Sequence, residues 1–348
     1  LELLLSNFPP VVTRMRTFQE AFYDLLPKAD QLNIAVGYVT ADSLLELKRI
    51  IELNRIEKVR LLIGMHGADK FTRQEYDAAI DLGAFLEKEI RGEVLLITSF
   101  RFHGKMYAFS RDRSPFAAIV GSNNLSSIVR TYNRVYEASI LVEDTVILEE
   151  TGRFIDNLCN SAAEKIADAE ISSFNDDSFP LENHDYVEHL NLSQSVNYVA
   201  DKSEITFDIP IKTESRSGLN VYFGKGRENK KTKVVKPRHW YEVEIIVPKE
   251  ITEHPEYPKA KSSTAVFDVV TDDGWKFKCK VSGDYSKNLR SENDLKVLGM
   301  WLKGRLEVRD LKQGEPVTDE VLESYGRKSF SMTKLKSGNI WFLDFGVR

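Results

Sequence analysis

Cysteine is nearly missing from this chain. Cys159 and Cys279 are the only two, far apart and outside any Cys-x-x-Cys spacing. That argues against a disulfide framework and against a structural zinc site. Long apolar runs are missing too: nothing approaches the ~20 consecutive apolar residues that a membrane-crossing helix requires. The opening Leu-Glu-Leu-Leu-Leu lacks a basic flank and has an acid in second place, so it does not read as a secretory signal. A Gly-x4-Gly-Lys-Ser/Thr loop for nucleotide phosphates does not occur, and neither do internal repeats or low-complexity tracts. The expectation is a cytoplasmic protein with no membrane partner and no ATP site of its own.

The chain also lacks a strong charge of one sign, with a formal net charge of -5. Nucleic acid is nevertheless not excluded, because charge is distributed unevenly. The first 180 residues are acidic, whereas Lys212–Arg238 holds nine basic residues against two acidic ones. A second basic cluster covers Lys276–Arg290. Local stripes govern phosphate contact more than the total does.

What is present fits two domains of ordinary size. The 348 residues are 42% hydrophobic and 29% charged, as in globular proteins. The first half alternates. Amphipathic spacing predicts helices over 11–29 (Met15, Phe18, Phe22, Leu25 or Leu26 inward), 43–55, Arg73–Lys88 and Thr145–Ala169. Apolar runs predict strands over 32–39, Val59–Gly64 and Val94–Ser99. Strand–helix–strand order implies an α/β layer fold with right-handed crossovers. After a Ser/Asn/Asp/Pro segment at 172–180, read as a linker, the texture changes. Short alternating strands are predicted at Glu204–Ile209, Val221–Phe223, Tyr241–Val247, Ala265–Val270, Trp275–Val281 and Gly304–Val308, the pattern of a barrel or sandwich. The expected domains are 1–175 and 176–348.

Chemistry concentrates between Phe102 and Glu137. Three apolar runs bounded by turn residues predict strands there. His103 and Lys105 are two apart, so on a strand both would project from one face. Gly121-Ser122-Asn123-Asn124 follows, and Glu137 opens the third run. Gly-Ser-Asn-Asn alone is also a good turn; the combination is more informative. It resembles the phospholipase D superfamily, whose signature is His-x-Lys followed by Gly-Ser-x-Asn. One departure is Ser110, where that superfamily has an Asp, and the loss weighs more against a phospholipase than against a nuclease.

The resemblance implies phosphodiester cleavage with no metal or other cofactor. His103 would attack phosphorus, Lys105, Ser122 and Asn124 would hold the nonbridging oxygens, and Glu137 would accept the other imidazole N–H. Two histidines in opposite protonation states must flank the phosphate, yet the chain has one His-x-Lys. His66, His184, His189, His239 and His254 have no matching neighbourhood. A homodimer sharing one site is therefore expected. A carboxylate–Mg²⁺ reading would use Asp294-x-Lys296 or Asp310-x-Lys312, but Leu295, Val297 and Leu298 read as core. His184 and His189, five apart, do not share a helical face.

The second half, through Trp275–Ser291 and Asp294–Leu306, resembles the C-terminal part of NgoFVII/NgoAVII-type restriction endonucleases. The resemblance implies a pseudobarrel like plant B-three domains and the effector domain of EcoRII, gripping duplex DNA with two arms. The arm within 212–238 offers Lys212, Arg216, Ser217, Asn220, Lys225, Arg227, Glu228, Lys230 and Lys231. The arm within 282–293 offers Ser282, Asp284, Tyr285, Ser286, Lys287, Asn288 and Arg290. Arginine pairs with guanine, acids accept from cytosine, and lysine mainly holds phosphate. The expected function is a restriction-type endonuclease cleaving double-stranded DNA at or near a short specific site; any ATPase would be a separate subunit, as in some relatives. The alternatives are a nonspecific phosphodiesterase or phospholipase, and a DNA-binding regulator with a vestigial nuclease half.

Overall fold

A computed structural model of the chain describes residues 1–54, 56–129, 135–175, 178–182, 184–309 and 311–347. Contacts divide the chain into two units. One comprises Leu1–Asp177 with Gly226–Pro237; the other comprises Ser178–Lys225 with Arg238–Arg348. None of the helices among the described residues is long and apolar enough to cross a membrane.

In chain order the first unit contains β1 (Glu2–Leu5), α1 (Phe18–Leu25), β2 (Gln31–Val36), α2 (Ala41–Asn54), β3 (Lys58–Ile63) and α3 (Arg73–Lys88). It continues with β4 (Gly92–Leu96), β5 (Lys105–Arg111), β6 (Ser114–Gly121), β7 (Ala138–Val142), α4 (Thr145–Ser161) and β8 (Glu164–Lys165). One sheet takes the order β1-β7-β6-β5-β2-β3-β4-β8. β2, β3 and β4 are parallel; β5 returns antiparallel against β2, and β6 and β7 follow antiparallel.

The parallel strands are continuous apolar runs because both faces are covered. Ile34, Val36, Leu61, Ile63, Val94 and Leu96 point to one side, against Leu44, Leu47 and Ile51 of α2 and Leu82 and Leu86 of α3. Ala35, Leu62 and Leu95 point to the other, against Ile155, Leu158 and Cys159 of α4. The period of two along each strand and the helical stripes thus meet in two cores.

Three boundaries differ from the sequence reading. α1 begins at Phe18, not 11, because Thr17 and Glu20 form a reciprocal capping box, which fixes a helix start; Met15 stays exposed. α4 stops at Ser161, and Glu164–Lys165 pairs with Leu95–Leu96 as a sheet edge. The opening Leu-rich segment is a strand, β1, with Leu3 opposite Ile140.

The second unit contains α5 (Leu192–Ala200), β9 (Lys202–Pro210), β10 (Ile245–Ile246), β11 (Val266–Thr271), β12 (Trp275–Ser282), β13 (Asn288–Ser291), α6 (Val297–Glu307), α7 (Asp319–Tyr325), β14 (Ser329–Leu335) and β15 (Ile340–Asp344). Its sheet runs β9-β14-β15-β11-β12-β13-β10 and is antiparallel except for the parallel pair β11–β15. Expected strands at Val221–Phe223 and Gly304–Val308 are a 3-10 turn and part of α6. α6 is buried on nearly every side, so it shows no amphipathic stripe to read. The strand expected over Tyr241–Val247 shrinks to β10.

The segment Gly226–Pro237 sits with the first unit. Arg227–Glu228 pairs with Val235–Lys236 as a hairpin. The Asn54 side chain at the end of α2 bonds both polar groups of Val235, donating to its carbonyl at 2.9 Å and accepting from its N–H at 2.8 Å. Val234 joins the α2-side core, and the Lys236 ammonium lies 4.0 Å from the centre of the Tyr23 ring.

Candidate active site

Topology brings the candidate residues to one end of the first sheet. β2 ends at Val36 where antiparallel β5 begins, and Val36 is the register partner of Lys105. β6 ends at Gly121, opposite Ser139 near the start of β7. The segments after β2 and β6, and before β5 and β7, therefore gather together. Gly121 is required by this crowding: a Cβ there would lie 2.2 Å from Ser139 Oγ and 2.5 Å from the Ala138 carbonyl.

His103 is exposed and precedes β5, whereas Lys105 is the first strand residue and only 5% exposed. The two do not stand side by side on a strand face. Lys105 Nζ instead curls back and donates to the His103 carbonyl at 2.6 Å. Burial lowers the Lys105 pKa, and the nearby Glu137 carboxylate works against that shift. An ammonium held in such surroundings is a stronger partner for an approaching anion than one in bulk water.

Ser122 Oγ is bonded to Glu137 Oε2 and accepts from the Ala138 N–H at 3.0 Å. The Glu137 N–H donates to Ser6 Oγ at 2.8 Å. Glu137 is thus engaged by Ser122 in the single chain. Asn124 Oδ1 accepts from the Tyr38 N–H at 3.1 Å, which leaves its amide NH₂ for other partners. Asn123, Tyr107 and Tyr136 carry scaffold bonds. Ser139 Oγ donates to Asn123 Oδ1 at 2.5 Å, Tyr107 OH to the Asn123 carbonyl at 2.9 Å, and Tyr136 OH to the Phe8 carbonyl at 2.8 Å.

Ser110 explains its own departure from the motif. It pairs with Gln31 at the far end of β5 from Lys105. Five strand residues span about 17 Å, so a carboxylate there would not reach His103.

Sequence reasoning missed Tyr38, Asp69 and Arg101. The Tyr38 and His103 rings meet edge-to-face, centres 5.7 Å apart and planes at 79°. Tyr38 OH donates to Asp69 Oδ2 at 2.5 Å, and Asp69 Oδ1 accepts from Arg101 Nη2 at 3.0 Å. The hydrogen bond to Asp69 raises the Tyr38 pKa and lowers that of Asp69. No spacing rule links positions 38, 69 and 101; only the sheet brings them together.

The alternative acid-x-Lys pair at Asp294 is used inside the second unit. His184 Nε2 lies 3.1 Å from Asp294 Oδ2, and Lys296 Nζ lies 3.3 Å from the same oxygen. Asp310 falls outside the described residues. Among the described residues no three His, Cys, Asp or Glu side chains gather as a metal site.

The profile of the NgoFVII restriction endonuclease N-terminal PLD domain matches residues 16–171, and that of the NgoFVII C-terminal B3-like DNA-binding domain matches residues 197–336. The chain belongs to the NgoFVII restriction-endonuclease family. Its α/β unit is the phospholipase-D-like nuclease domain and its mainly-β unit the B3-like DNA-binding domain. Among solved structures, NucT from Helicobacter pylori is 14% identical over 47% of this chain and 98% of that chain, at a TM-score of 0.33. The phosphatidylserine synthase of Haemophilus influenzae Rd KW20 is 17% identical over 49% of this chain and 41% of that one, at 0.35. Polyphosphate kinase from Porphyromonas gingivalis is 10% identical over 93% and 54%, at 0.30. No curated protein matches the chain.

In this NgoFVII-family chain the arm candidates differ in exposure and placement. Lys212, Arg216, Lys225, Asp284, Tyr285 and Lys287 are exposed in the B3-like unit, and Ser282, Asn288 and Arg290 are half-buried on β12 and β13. Tyr285 is 75% exposed with φ +59°, a conformation that non-glycine residues adopt at a cost. Arg227, Glu228, Lys230 and Lys231 are exposed on the hairpin that packs with the nuclease unit. Asn220 and Ser286, in contrast, are committed to the fold and correct the sequence reading. Asn220 is fully buried, donating to the Val317 carbonyl at 2.8 Å and accepting from the Val317 N–H at 2.9 Å. Ser286 Oγ is buried and accepts from the Ala260 N–H at 2.8 Å. Ser217 is half-buried and, with Lys212, Glu214 and Ile245, lines a cavity of about 230 Å³.

Proposed function

We propose that the chain cleaves double-stranded DNA at or near a short specific site through a covalent phosphohistidine, as a homodimer with one shared active site. The observation that carries this reading is the convergence of His103, Lys105, Ser122, Asn124 and Glu137 on one sheet end of a nuclease-family unit. Neutral His103 attacks phosphorus while the partner's His103, protonated, gives its proton to the leaving oxygen. Water then cleaves the phosphorus–nitrogen bond. Lys105 and the Asn124 amide offset charge on the nonbridging oxygens, so the chemistry asks for no metal. In the assembled site Glu137 accepts the second imidazole N–H of a histidine.

The dimer is supported by more than histidine counting. Leu3 and Ile140, register partners at the β1 edge, are both exposed, as are Val135 and Tyr136 beside Glu137. Such an apolar edge next to the site suits a twofold interface. A site built by one chain alone would contain one imidazole where two are needed.

The test is plasmid cleavage in excess EDTA, comparing the wild type with His103→Ala. Cleavage by the wild type alone is the expected result. Loss of wild-type activity in EDTA would overturn the metal-free chemistry. Sequence-independent nicking would favour a nonspecific phosphodiesterase, and tight binding without cleavage a regulator. A requirement for ATP and a second protein would bring in the separate ATPase subunit.

A further inference from the structure

Tyr38 belongs to no motif of the site, yet it touches the site twice. Its backbone N–H holds the Asn124 side-chain oxygen at 3.1 Å, and its ring meets the His103 ring edge-to-face. Gly37 lets the two segments approach, since a Cβ there would lie 3.2 Å from His103 Cδ2.

The Tyr38 ring is itself fixed from two directions. Its hydroxyl is tied to Asp69, whose other oxygen is tied to Arg101. A further ring neighbour is His66, with ring centres 5.5 Å apart and planes at 84°. His66 is buried and rigid. Its Nδ1–H donates to the Lys70 carbonyl at 2.9 Å, Nε2 accepts from the Val39 N–H at 3.2 Å, and its ring stacks on Phe71. Among the described residues no hydrogen bond orients the His103 ring, so the contact that limits its rotation is aromatic.

We propose that Tyr38 is a positioning residue for the His103 nucleophile, held at its working angle by Asp69. This rests on the reading of His103 as the nucleophile. Edge-to-face pairs are orientation-dependent, and misplacing a nucleophile by about 1 Å costs ~10²-fold in rate.

Hydrolysis of bis-(para-nitrophenyl) phosphate by the full-length protein tests the idea without involving sequence recognition. Tyr38→Ala is expected to lower kcat by about 100-fold with KM changed less than about threefold. Tyr38→Phe keeps the ring and should recover most of that loss. Asp69→Asn keeps an acceptor for the Tyr38 hydroxyl and should cost no more than Tyr38→Phe. In the ¹H–¹³C spectrum of the histidines, the His103 ring signal should shift or broaden in Tyr38→Ala and stay near its wild-type position in Tyr38→Phe. Wild-type kcat in Tyr38→Ala, or equal losses in the Phe and Ala variants with an unmoved His103 signal, would overturn the proposal. Should Tyr38→Ala fail to fold, Tyr38→Leu, which removes the ring and keeps much of its bulk, takes its place, and wild-type kcat with an unmoved His103 signal there would overturn it as well. His103→Ala is the control. If it keeps activity, the nucleophile assignment falls and this proposal with it; if it is inert while Tyr38→Ala is fully active, this proposal falls alone.

Discussion

Lys105 in the nuclease unit and Lys303 in the B3-like unit are both buried lysines, yet they serve different ends. Lys105 donates to the His103 carbonyl beside an exposed imidazole, and burial lowers its pKa against the pull of Glu137. Lys303 is fully enclosed in α6. It donates to the Trp240 carbonyl at 2.5 Å, lies 3.7 Å from the centre of the Trp240 ring, and its pKa is pushed down to about 7 by burial. Glu307, one turn on, accepts from Trp240 Nε1 at 2.9 Å and Tyr241 OH at 2.8 Å, and burial raises its pKa. A perturbed lysine is thus a functional signal only where ligand can reach it. Lys303 is the more deeply buried and is the structural one.

That contrast can be broken most forcefully at His103. His103→Ala should reduce cleavage by at least about 10³-fold while leaving duplex binding within about twofold, measured by plasmid cleavage and by gel shift. Equal loss of both would mean that the two units do not divide chemistry from recognition. Lys105→Met keeps the buried stem and removes the charge; cleavage should fall by about 10²-fold with the unfolding midpoint nearly unchanged. Lys303→Met should do the reverse, sparing cleavage.

The arms sharpen the comparison at smaller effect. Lys287→Ala in the B3-like unit and Arg227→Ala on the hairpin should each weaken binding to the cognate duplex by about tenfold. A base reader loses discrimination between cognate and mutated duplexes, whereas a phosphate holder weakens both equally and lowers the salt dependence of binding. Equal weakening by Arg227→Ala would make it a phosphate holder.

The remaining test is in pH. The lysine of the unfolded chain titrates near its ordinary 10.5 and that of the folded chain near 7. Between those values the unfolded state binds more protons, so this group makes folding more favourable as pH rises from about 7 towards 10.5. All four tryptophans lie in the B3-like unit, so urea unfolding followed by their fluorescence reports that unit. The wild-type midpoint should rise across this window relative to Lys303→Met. Parallel curves would show that Lys303 stays charged in the fold.

The sequence made His103, Lys105, Ser122, Asn124 and Glu137 legible because the proposed site draws on short motifs at the neighbouring ends of three consecutive strands, β5, β6 and β7. Strands β2 to β4 were legible because parallel strands covered on both faces are apolar throughout. α6 was not, since burial on every side erases its helical period. The opening strand β1 was missed because an edge strand paired by non-local hydrogen bonds has no local signature. Asn220 read as an arm residue, although its side chain had been claimed by Val317, 97 positions away.

By itself the amino-acid order determined the two-part architecture, the residue set proposed for catalysis and the positive stripes, because each is written in short-range spacing or local composition. Tertiary structure alone decided that Tyr38 and Asp69 frame the histidine, that the Gly226–Pro237 hairpin sides with the nuclease unit, and that one buried lysine meets the His103 backbone while the other meets a tryptophan. Those outcomes depend on which distant segments a sheet edge or a helix end brings into contact, and contacts of that kind leave no period in the chain.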